Sequence, residues 1–272
     1  MKKVAVIGMG VVGQGMMKIF PDAAMYDQPK DIGSRDEVNT CDLAIICVPT
    51  NALPSGQCDT HIVEDVVSWL KTPLILIKST VEPGTTHRLI EKYDRRIVFS
   101  PEYLGESKYH TPSQYPDPKT PLSHGFLILG GHQKDCERIA DIFVPRVGPA
   151  TRIRIMDSID AEIVKYAENS FFATKVIFAN ELREICDAFG ASWHSVREGW
   201  LDDSRVGPMH TAVFKGEEGY DGKCYPKDVN AIVYATKKAG FDPLVLGAVI
   251  KANERYSKHR DGVISEGAGG QK

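Results

Sequence analysis

The chain contains 272 residues, of which 42% are hydrophobic and 25% are charged, and its formal net charge is −3 at pH 7. This length suits about two domains, and the absence of a basic balance excludes the electrostatic footprint of a nucleic-acid-binding protein. The apolar runs are too short to span a bilayer, and the six scattered cysteines and eight histidines show no metal-ligand or disulfide-scaffold spacing. We expect a cytoplasmic protein with no membrane partner and no bound metal.

The first half of the chain alternates between apolar strand patterns and amphipathic helix patterns. Predicted strands occupy residues 3–8, 25–27, 43–49, 74–80, 96–102 and 125–131. Predicted helices occupy residues 13–20, 61–70, 85–93 and 133–143. Residues 108–125 contain four prolines and are predicted to form a loop. The alternation predicts an α/β fold with a Rossmann-like, doubly wound parallel sheet.

The second part of the chain has helical patterns. Residues 157–190 form one long pattern that ends at a glycine, and further helical patterns occupy residues 228–240 and 243–260. The glycine-rich C-terminal residues are predicted to be disordered. We therefore expect a Rossmann domain at residues 1–155, an all-helical domain with one long central helix at residues 156–265, and a disordered tail at residues 266–272.

The long helical pattern carries more apolar residues than one small domain is expected to cover. They are Ile163, Phe171, Phe172, Val176, Ile177 and Phe178. A surplus apolar face usually marks an interface, so we expect a homodimer formed through the helical domain.

A glycine motif lies between the first predicted strand and helix. Gly8, Gly10 and Gly13 have the spacing G-x-G-x-x-G, which gives a tight turn, close backbone approach to a pyrophosphate, and close helix packing. Asp27 follows 19 residues after Gly8, where a carboxylate can accept hydrogen bonds from ribose hydroxyls and repel a 2′-phosphate. The alternative for Asp27 is an ordinary turn cap. The pattern favours NAD over NADP.

Polar residues occupy two positions typical of catalytic groups. Lys165 and Asn169 are four residues apart and share one helix face, where they suit a reacting alcohol or carbonyl oxygen. Thr80, Glu102 and Glu106 lie at or just after the carboxyl ends of predicted strands, where ligands bind in open α/β sheets. Standing alone, the Lys165–Asn169 pair is more typical of a solvated helix face. Thr80, Glu102 and Glu106 are each equally compatible with a turn or a loop cap.

A third candidate lies in the stretch EEGYDGKCYPKD, at residues 217–228. It places Cys224, Lys227 and Asp228 within five residues, behind a glycine-rich turn. Spacing alone leaves two alternatives open: a nucleophilic cysteine assisted by its neighbours, or a buried thiol beside a surface loop.

Six motifs, in order along residues 1–228, resemble those of the UDP-glucose/GDP-mannose dehydrogenase family. They are GMGVVG, KSTVEPGTT, SPEYLGES, EIVKYAENSFFATKVIFANEL, DDSRVG and GYDGKCYPKD. The resemblance implies an NAD-dependent enzyme that oxidises the C6 alcohol of a nucleotide sugar, such as UDP-glucose, to the uronic acid. The implied route passes through a thiohemiacetal and a thioester on Cys224, which keep the aldehyde from escaping.

The resemblance also implies three overlapping groups of site residues. The catalytic group consists of Cys224, Lys165, Asn169, Asp228, Thr80 and Glu102. The cofactor group consists of Gly8, Gly10, Val11, Val12, Gly13, Asp27, Val48, Pro49, Thr80, Glu106 and Lys227. The substrate group consists of Glu102, Tyr103, Leu104, Lys165, Asn169, Arg205, Gly219 and Cys224.

Specific roles accompany these groups. Cys224 is the implied nucleophile, Thr80 places a water, and Glu102 acts as the acid or base. Arg205 is expected to reach the sugar nucleotide, across a dimer interface.

The chain also departs from the family pattern. Asp221 replaces a glycine of the cysteine loop, and the family's C-terminal nucleotide-sugar-binding domain has no counterpart, so we expect a compact form. Two alternatives therefore stay open. One is a two-electron β-hydroxyacid-type dehydrogenase, against which the KCYPKD motif argues, and the other is a truncated, non-catalytic nucleotide-binding relative.

Overall fold

One mixed sheet forms the frame of the first part of the chain. The computed structural model describes residues 2–105 and 120–260. Within these residues the sheet has seven strands: β1 (Val4–Ile7), β2 (Ala24–Tyr26), β3 (Leu43–Ile46), β4 (Leu74–Ile77), β5 (Ile97–Phe99), β6 (Phe126–Gly130) and β7 (Arg152–Met156). Their spatial order is β2-β1-β3-β4-β5-β6-β7. The predicted α/β fold class is confirmed.

Helices follow most strands of the sheet, and the described chain after β7 contains helices and no strands. Those of the sheet part are α1 (Val11–Ile19), α2 (Arg35–Val38), α3 (His61–Trp69), α4 (Thr85–Tyr93) and α5 (Gln133–Val147). Those that follow are α6 (Ser158–Ala188), α7 (Trp193–Leu201), α8 (Tyr225–Lys238) and α9 (Leu244–Arg260). Each predicted helix forms within about one helical turn of its expected ends. No helix within the described residues combines the length and apolar character that a bilayer crossing needs.

Two features of the sheet differ from the prediction. β6 runs antiparallel to β5, and β7 pairs in parallel with β6, so the sheet is not entirely parallel. A parallel connection needs a crossover, usually a helix, and the described parts of the β5–β6 connection contain only a 3-10 turn at Pro121–Ser123. β7 was missed although its sequence, RIRIM, alternates between charged and apolar residues, which is typical of a half-buried strand. The prediction relied on continuous apolar runs, and β7 has none.

The two faces of the sheet bury separate apolar cores. Ile7, Ile46 and Phe99 belong to the core on one face, whereas Val6 and Leu76 belong to the core on the other. Alternate residues along each strand point to opposite faces, so strands covered by helices on both sides need continuous apolar sequence. This requirement explains why the central strands could be predicted so directly.

The described chain divides into two compact units by its internal contacts. The first contains Met1–Leu53 and Cys58–Lys165, and the second contains Pro54–Gln57 and the chain from Tyr166 onward. The division falls inside α6, ten residues beyond the boundary expected at 155/156, and the predicted domain limits stay a prediction. Residues 266–272, the predicted tail, lie outside the described residues. The second unit has its own core, which includes Ala173, Ile177 and Tyr220.

The start of α6 is fixed within the first unit by two close contacts. The fully buried Glu162 accepts hydrogen bonds from the backbone N–H groups of Gly84, at 2.5 Å, and Thr86, at 2.9 Å, at the N-terminus of α4. At the end of β6, a Cβ atom added to Gly130 would lie 2.4 Å from the Cβ of Ala161. The absence of a side chain at residue 130 therefore allows α6 to approach the sheet.

We expect Gly130→Ala to lower the free energy of unfolding by about 1–3 kcal/mol, because the added methyl group overlaps the first turn of α6. Urea denaturation followed by circular dichroism measures this change. Gly199→Ala is the matched control, because Gly199 is an exposed position inside α7 with no atom near the added Cβ. There alanine should raise the stability by about 0.5–1 kcal/mol. An unfolding midpoint for Gly130→Ala equal to or above that of the wild type would contradict this explanation.

Candidate functional site

The glycine loop connects β1 to α1 under tight steric constraints. Gly8 has φ +91°, and a Cβ there would lie 2.6 Å from the carbonyl oxygen of Cys47. A Cβ on Gly13 would lie 1.9 Å from the carbonyl oxygen of Gly8, so the start of α1 packs directly on the loop. A Cβ on Gly10, by contrast, would meet no atom within 4 Å. Glycine is thus needed for packing at Gly8 and Gly13, while the surface over Gly10 is open.

The open surface over Gly10 lies at the N-terminus of α1. Gly10 is the N-cap residue, and the first turn that follows contains Val11, Val12 and Gly13 without an acidic residue. N–H groups at a helix start lack helical partners and carry a partial positive charge, which suits a pyrophosphate. Val48 and Pro49 follow β3 directly, and the backbone N of Val48 would lie 3.0 Å from a Cβ on Gly8. The geometry therefore fits a dinucleotide.

Asp27 follows β2 and is nearly buried. Its Oδ2 accepts a hydrogen bond from the backbone N–H of Met9, at 2.7 Å, inside the glycine loop. Lys30 donates from its Nζ to the carbonyl oxygen of Met9, at 2.5 Å, and lies 3.8 Å from Oδ2 of Asp27. A carboxylate can accept several hydrogen bonds, so Asp27 can hold the loop and still accept one from a ribose hydroxyl.

A buried ion pair lies at the carboxyl ends of β4 and β5. Lys78 Nζ is 3.3 Å from Oε2 of Glu102 and donates to the carbonyl oxygen of Pro101 at 2.9 Å. Glu102 Oε1 accepts hydrogen bonds from the N–H groups of Tyr103 and Leu104. Burial raises the pKa of the Glu102 carboxyl, but Lys78 and the two N–H groups outweigh burial and hold the pKa below its usual value. Glu102 is therefore ionised at neutral pH and suits a proton acceptor better than a donor.

Four further candidates belong to the first unit: Thr80, Tyr103, Leu104 and Lys165. Lys165 Nζ lies 5.4 Å from the ring centroid of Tyr103, within cation–π distance. The Leu104 side chain packs against α1, because a Cβ on Gly15 would lie 2.4 Å from its Cδ1. Thr80 follows β4, and its carbonyl oxygen accepts a hydrogen bond from the thiol of Cys58. Glu106 lies outside the described residues.

In the second unit, three candidates form one hydrogen-bonded group. The Asn169 amide donates to Oδ2 of Asp228 at 2.6 Å, and Lys227 Nζ lies 2.5 Å from Oδ1 of the same carboxylate. Asn169 and Asp228 are almost completely buried. A buried charge is tolerated where it is paired and hydrogen-bonded, so these contacts fix the first turn of α8 against α6.

Cys224 is the N-cap residue of α8. Of the six cysteines, all of which the structure describes, it alone is exposed, so the alternative of a buried thiol is wrong. The partial positive charge at a helix N-terminus stabilises an anion such as a thiolate. Accessibility and helix position together fit a nucleophile.

The loop before Cys224 obtains its shape from two glycines. Gly219 has φ +77° and Gly222 has φ +83°, whereas Asp221 does not adopt a positive φ. Asp221 therefore causes no backbone strain in place of the glycine that the family pattern has. The loop is attached to α9 because Asn253 Oδ1 accepts the N–H of Tyr220 at 2.7 Å.

The side chain of Arg205 is paired with Asp203 rather than with any of the candidate residues above. Its guanidinium forms a bidentate ion pair with Asp203, with the closest atoms 2.6 Å apart, and its side chain is 89% exposed. Any contact with a sugar nucleotide stays a prediction. The residues described contain no group of three or more His, Cys, Asp or Glu side chains placed to hold a metal ion.

Two family models match the chain and together cover more than half of it. The NAD binding domain of the UDP-glucose/GDP-mannose dehydrogenase family matches residues 30–141, and the central domain of the same family matches residues 159–255. The chain belongs to the UDP-glucose/GDP-mannose dehydrogenase family. NAD is its cofactor, as the glycine motif and Asp27 predicted.

Curated relatives agree with this membership. The chain is similar to the UDP-glucose 6-dehydrogenase of Rickettsia bellii, with 31% identity over 249 residues, covering 87% of this chain and 55% of the relative. It is similar to the UDP-glucose 6-dehydrogenase AglM of Haloferax volcanii, with 30% identity, covering 80% of this chain and 54% of the relative. The chain spans about half the length of the curated relatives it matches.

Solved structures share the fold. A UDP-glucose dehydrogenase from Pyrobaculum islandicum has a TM-score of 0.80 at 23% identity, covering 96% of this chain and 72% of that one. The 3-hydroxyisobutyrate dehydrogenase of Mycobacterium tuberculosis has a TM-score of 0.68 at 14% identity and covers 96% of both chains. At these identities the likeness concerns the fold alone.

Sequence reasoning missed several residues that support the candidate groups of this family member. Lys78 forms an ion pair with Glu102, and Lys30 donates a hydrogen bond to the glycine loop. Asn253 accepts a hydrogen bond from the cysteine loop. Lys78 lies in the KST motif beside Thr80, which is the one signal that could have drawn attention to it. Lys30 and Asn253 have no distinguishing local pattern, because their partners are remote in the sequence.

We expect the wild-type protein to bind NAD more tightly than NADP, because the Asp27 carboxylate repels a 2′-phosphate. Asp27→Asn should weaken NAD binding by about tenfold, or ~1.4 kcal/mol, since a hydrogen bond to a charged acceptor is lost. Titration calorimetry with both cofactors measures the affinities. Asp31→Asn is the matched control, because Asp31 has φ +54°, which asparagine also tolerates. Equal or tighter binding of NADP by the wild type would disprove the role of Asp27.

Proposed function

We propose that the protein is an NAD-dependent nucleotide-sugar 6-dehydrogenase, with UDP-glucose or a similar nucleotide sugar as its substrate. The observation that carries the proposal is an exposed Cys224 at the N-cap of α8, a helix whose first turn holds the hydrogen-bonded group of Lys227, Asp228 and Asn169 of α6. This arrangement occurs in a chain that also contains the family's NAD binding domain. An accessible thiol at a helix N-terminus suits covalent capture of an aldehyde. A place in polysaccharide biosynthesis would follow from a uronic acid product.

The proposed reaction converts a primary alcohol into a carboxylate in two oxidations. Bound NAD would supply the hydride acceptor for each of the two oxidations, and water would supply the second carboxylate oxygen. Between the oxidations, the Cys224 sulfur adds to the aldehyde carbon to form a thiohemiacetal. The second oxidation converts this adduct into a thioester. Water then attacks the thioester carbon, the carbon–sulfur bond breaks, and the thiolate is restored.

The remaining residues supply charge and orientation. Lys165 and Asn169 would stabilise the oxyanion that develops on the substrate oxygen. The ionised Glu102 would accept a proton, and Thr80 would orient the hydrolytic water. Asp228 would hold Asn169 in place through their 2.6 Å hydrogen bond.

Contacts with the cofactor and the substrate are assigned in the same way. The glycine loop with Asp27, Val48 and Pro49 would hold NAD, together with Glu106 and Lys227. Tyr103, Leu104 and Gly219 would line the substrate site, and Arg205 would reach the nucleotide of the sugar.

A two-electron oxidation of a β-hydroxyacid is the second candidate. The spacing of Lys165 and Asn169 along α6 keeps it open. The fold is compatible with it, because 3-hydroxyisobutyrate dehydrogenase shares this fold over 96% of both chains. The exposed cysteine has no part in a reaction that ends after one hydride transfer. The number of NADH molecules released per substrate separates the candidates: two for the nucleotide-sugar dehydrogenase and one for the β-hydroxyacid dehydrogenase. Binding of NAD without NADH release from any UDP- or GDP-sugar would favour a non-catalytic relative.

We expect Cys224→Ser to abolish the second oxidation while NAD binding survives. A serine hydroxyl is far less ionised than a thiol near neutral pH, so it adds to the aldehyde slowly. The measurement is the NADH yield per sugar, with mass spectrometry of the product, on a substrate from which the wild type releases two NADH. Cys41→Ser is the control, because Cys41 is a buried thiol after α2, in the first unit. Cys224 is not the nucleophile if the serine variant still releases two NADH at a rate within about tenfold of the wild type, or ~1.4 kcal/mol.

We further propose a homodimer formed through α6. Of the six apolar residues that suggested it, Ile163, Phe171 and Phe178 are exposed, whereas Ile177 belongs to the core of the second unit. Phe171, Phe178 and Ile185 are seven residues apart, so they form one stripe along the helix, and Phe189 extends it with 86% exposure. A contiguous apolar stripe of this kind is typical of an interface.

Phe178→Glu combined with Phe189→Glu should convert the dimer into a monomer, because two charges would be buried in the interface. Light scattering at micromolar concentration measures the mass. Met25→Glu is the matched control, an exposed apolar residue of β2 in the first unit. A monomeric mass for the wild type would refute the dimer.

A further inference from the structure

His210 lies in the second unit with a positive φ, which is uncommon for residues other than glycine. Its φ is +63°, in the left-handed region that favours glycine and asparagine. The backbone on both sides is held in place. Arg197 donates from Nε to the carbonyl oxygen of the buried Thr211 at 3.2 Å, and Lys175 donates to the carbonyl oxygen of Gly207 at 2.9 Å. The loop therefore keeps a positive φ at a residue other than glycine, a conformation that histidine tolerates better than most residues, and this draws attention to the contacts of its ring.

The ring of His210 is fixed by two contacts. It stacks on Phe172, with ring centroids 4.2 Å apart and planes 15° from parallel, and its Nε2 lies 2.8 Å from the hydroxyl of Tyr225. Burial, and then the positive charge of Lys175, lowers the pKa of His210 to about 4. The imidazole is therefore neutral near pH 7 and carries one N–H.

The surroundings of the other ring nitrogen identify the tautomer. Nδ1 is buried and has no hydrogen-bond partner within the described part of the chain. A buried N–H without an acceptor is rarer in proteins than an acceptor without a donor. We therefore assign the proton to Nε2, which donates to the Tyr225 oxygen. Burial and the nearby charges of Glu168 and Cys224 raise the pKa of Tyr225 above its usual value, so the phenol keeps its proton.

Tyr225 connects this histidine to the candidate nucleophile. It is the first residue of α8 and directly follows Cys224, the N-cap residue. Its ring also packs edge-on against Tyr220 of the cysteine loop, with centroids 6.4 Å apart. An anion at a helix N-terminus is stabilised only if the first turn holds its N–H groups in place.

We infer that His210 is a positioning residue that acts through Tyr225 to fix the first turn of α8, and thereby the thiol of Cys224. The inference rests on the proposed function for the role of Cys224 as nucleophile. The histidine itself touches neither the reacting atoms nor the cofactor in this mechanism. Because the imidazole stays neutral near pH 7, its Nε2–H can donate to the Tyr225 oxygen without a change of protonation in that pH range.

The test measures the alkylation rate of Cys224 by iodoacetamide at pH 7, without substrate or cofactor. Cys224 is the one exposed cysteine among the six, so the measured rate reports on its thiol. The variants are His210→Asn, which tolerates the left-handed backbone, Tyr225→Phe, which keeps the ring and removes the hydroxyl, and the double variant. Each single variant should lower the rate by about three- to tenfold, and the double variant should be no slower than the slower single one, because both remove the same hydrogen bond.

Two controls separate positioning from general damage. His194→Asn and Tyr234→Phe make the same chemical changes at an exposed position of α7 and at a partly buried position within α8, and should leave the rate within twofold of the wild type. With a substrate that the wild type oxidises, both His210→Asn and Tyr225→Phe should lower kcat and leave the KM for NAD within twofold.

Unchanged alkylation in Tyr225→Phe, with or without a lower unfolding midpoint, would overturn the inference, because the hydrogen bond would then have only a structural role. Fully additive losses in the double variant would also overturn it. Failure of the proposed function is a different result: no NADH from the wild type with any nucleotide sugar, while the alkylation rates still differ as expected.

Discussion

The position of Lys165, a proposed catalytic residue of the first unit, depends on the hydrogen bonds that the Glu162 carboxylate accepts. This carboxylate is fully buried and accepts two backbone N–H groups at the N-terminus of α4, a helix whose N-cap residue, Gly84, has no side chain to provide a cap. Burial raises the pKa of Glu162, so an ionised carboxylate there has a cost, which the N–H groups and the helix dipole offset only in part. The contact fixes the first turns of α6, and therefore Lys165, one turn later.

The glycine loop shows how a binding surface can be both tightly packed and open. Gly8 and Gly13 are constrained by backbone atoms closer than any side chain allows, whereas Gly10 faces empty space. The hydrogen bond from Met9 to Asp27 then ties the loop to the end of β2. One carboxylate thus positions the backbone that would bind the phosphates and stays placed for the ribose.

In the second unit, other residues likewise fix the backbone around the candidate nucleophile, Cys224. Gly219 and Gly222 take the left-handed conformations of the cysteine loop, Asn253 attaches the loop to α9, and Asp228 is held by Asn169 and Lys227. Cys224 itself makes no contribution to the core and remains exposed. The thiol is accessible because Gly219, Gly222, Asn253 and Asp228, rather than Cys224, hold the loop and the start of α8 in place.

The sequence by itself determined the strands of the central sheet, the long helix and the family, because continuous apolar runs, helical periodicity and ordered motifs are local or collinear signals. It also indicated Lys227, Asp228 and Cys224 at the start of α8, and Asn169 of α6, which the structure joins to Asp228 by a hydrogen bond. It could not determine the antiparallel direction of β6 or the partners of Lys78, Lys30 and His210. Only the tertiary structure decided these, because each depends on groups that lie far apart in the chain and become neighbours when the backbone folds. The ionisation of Glu102 and the neutrality of His210 followed for the same reason: burial and nearby charge are properties of the packed chain.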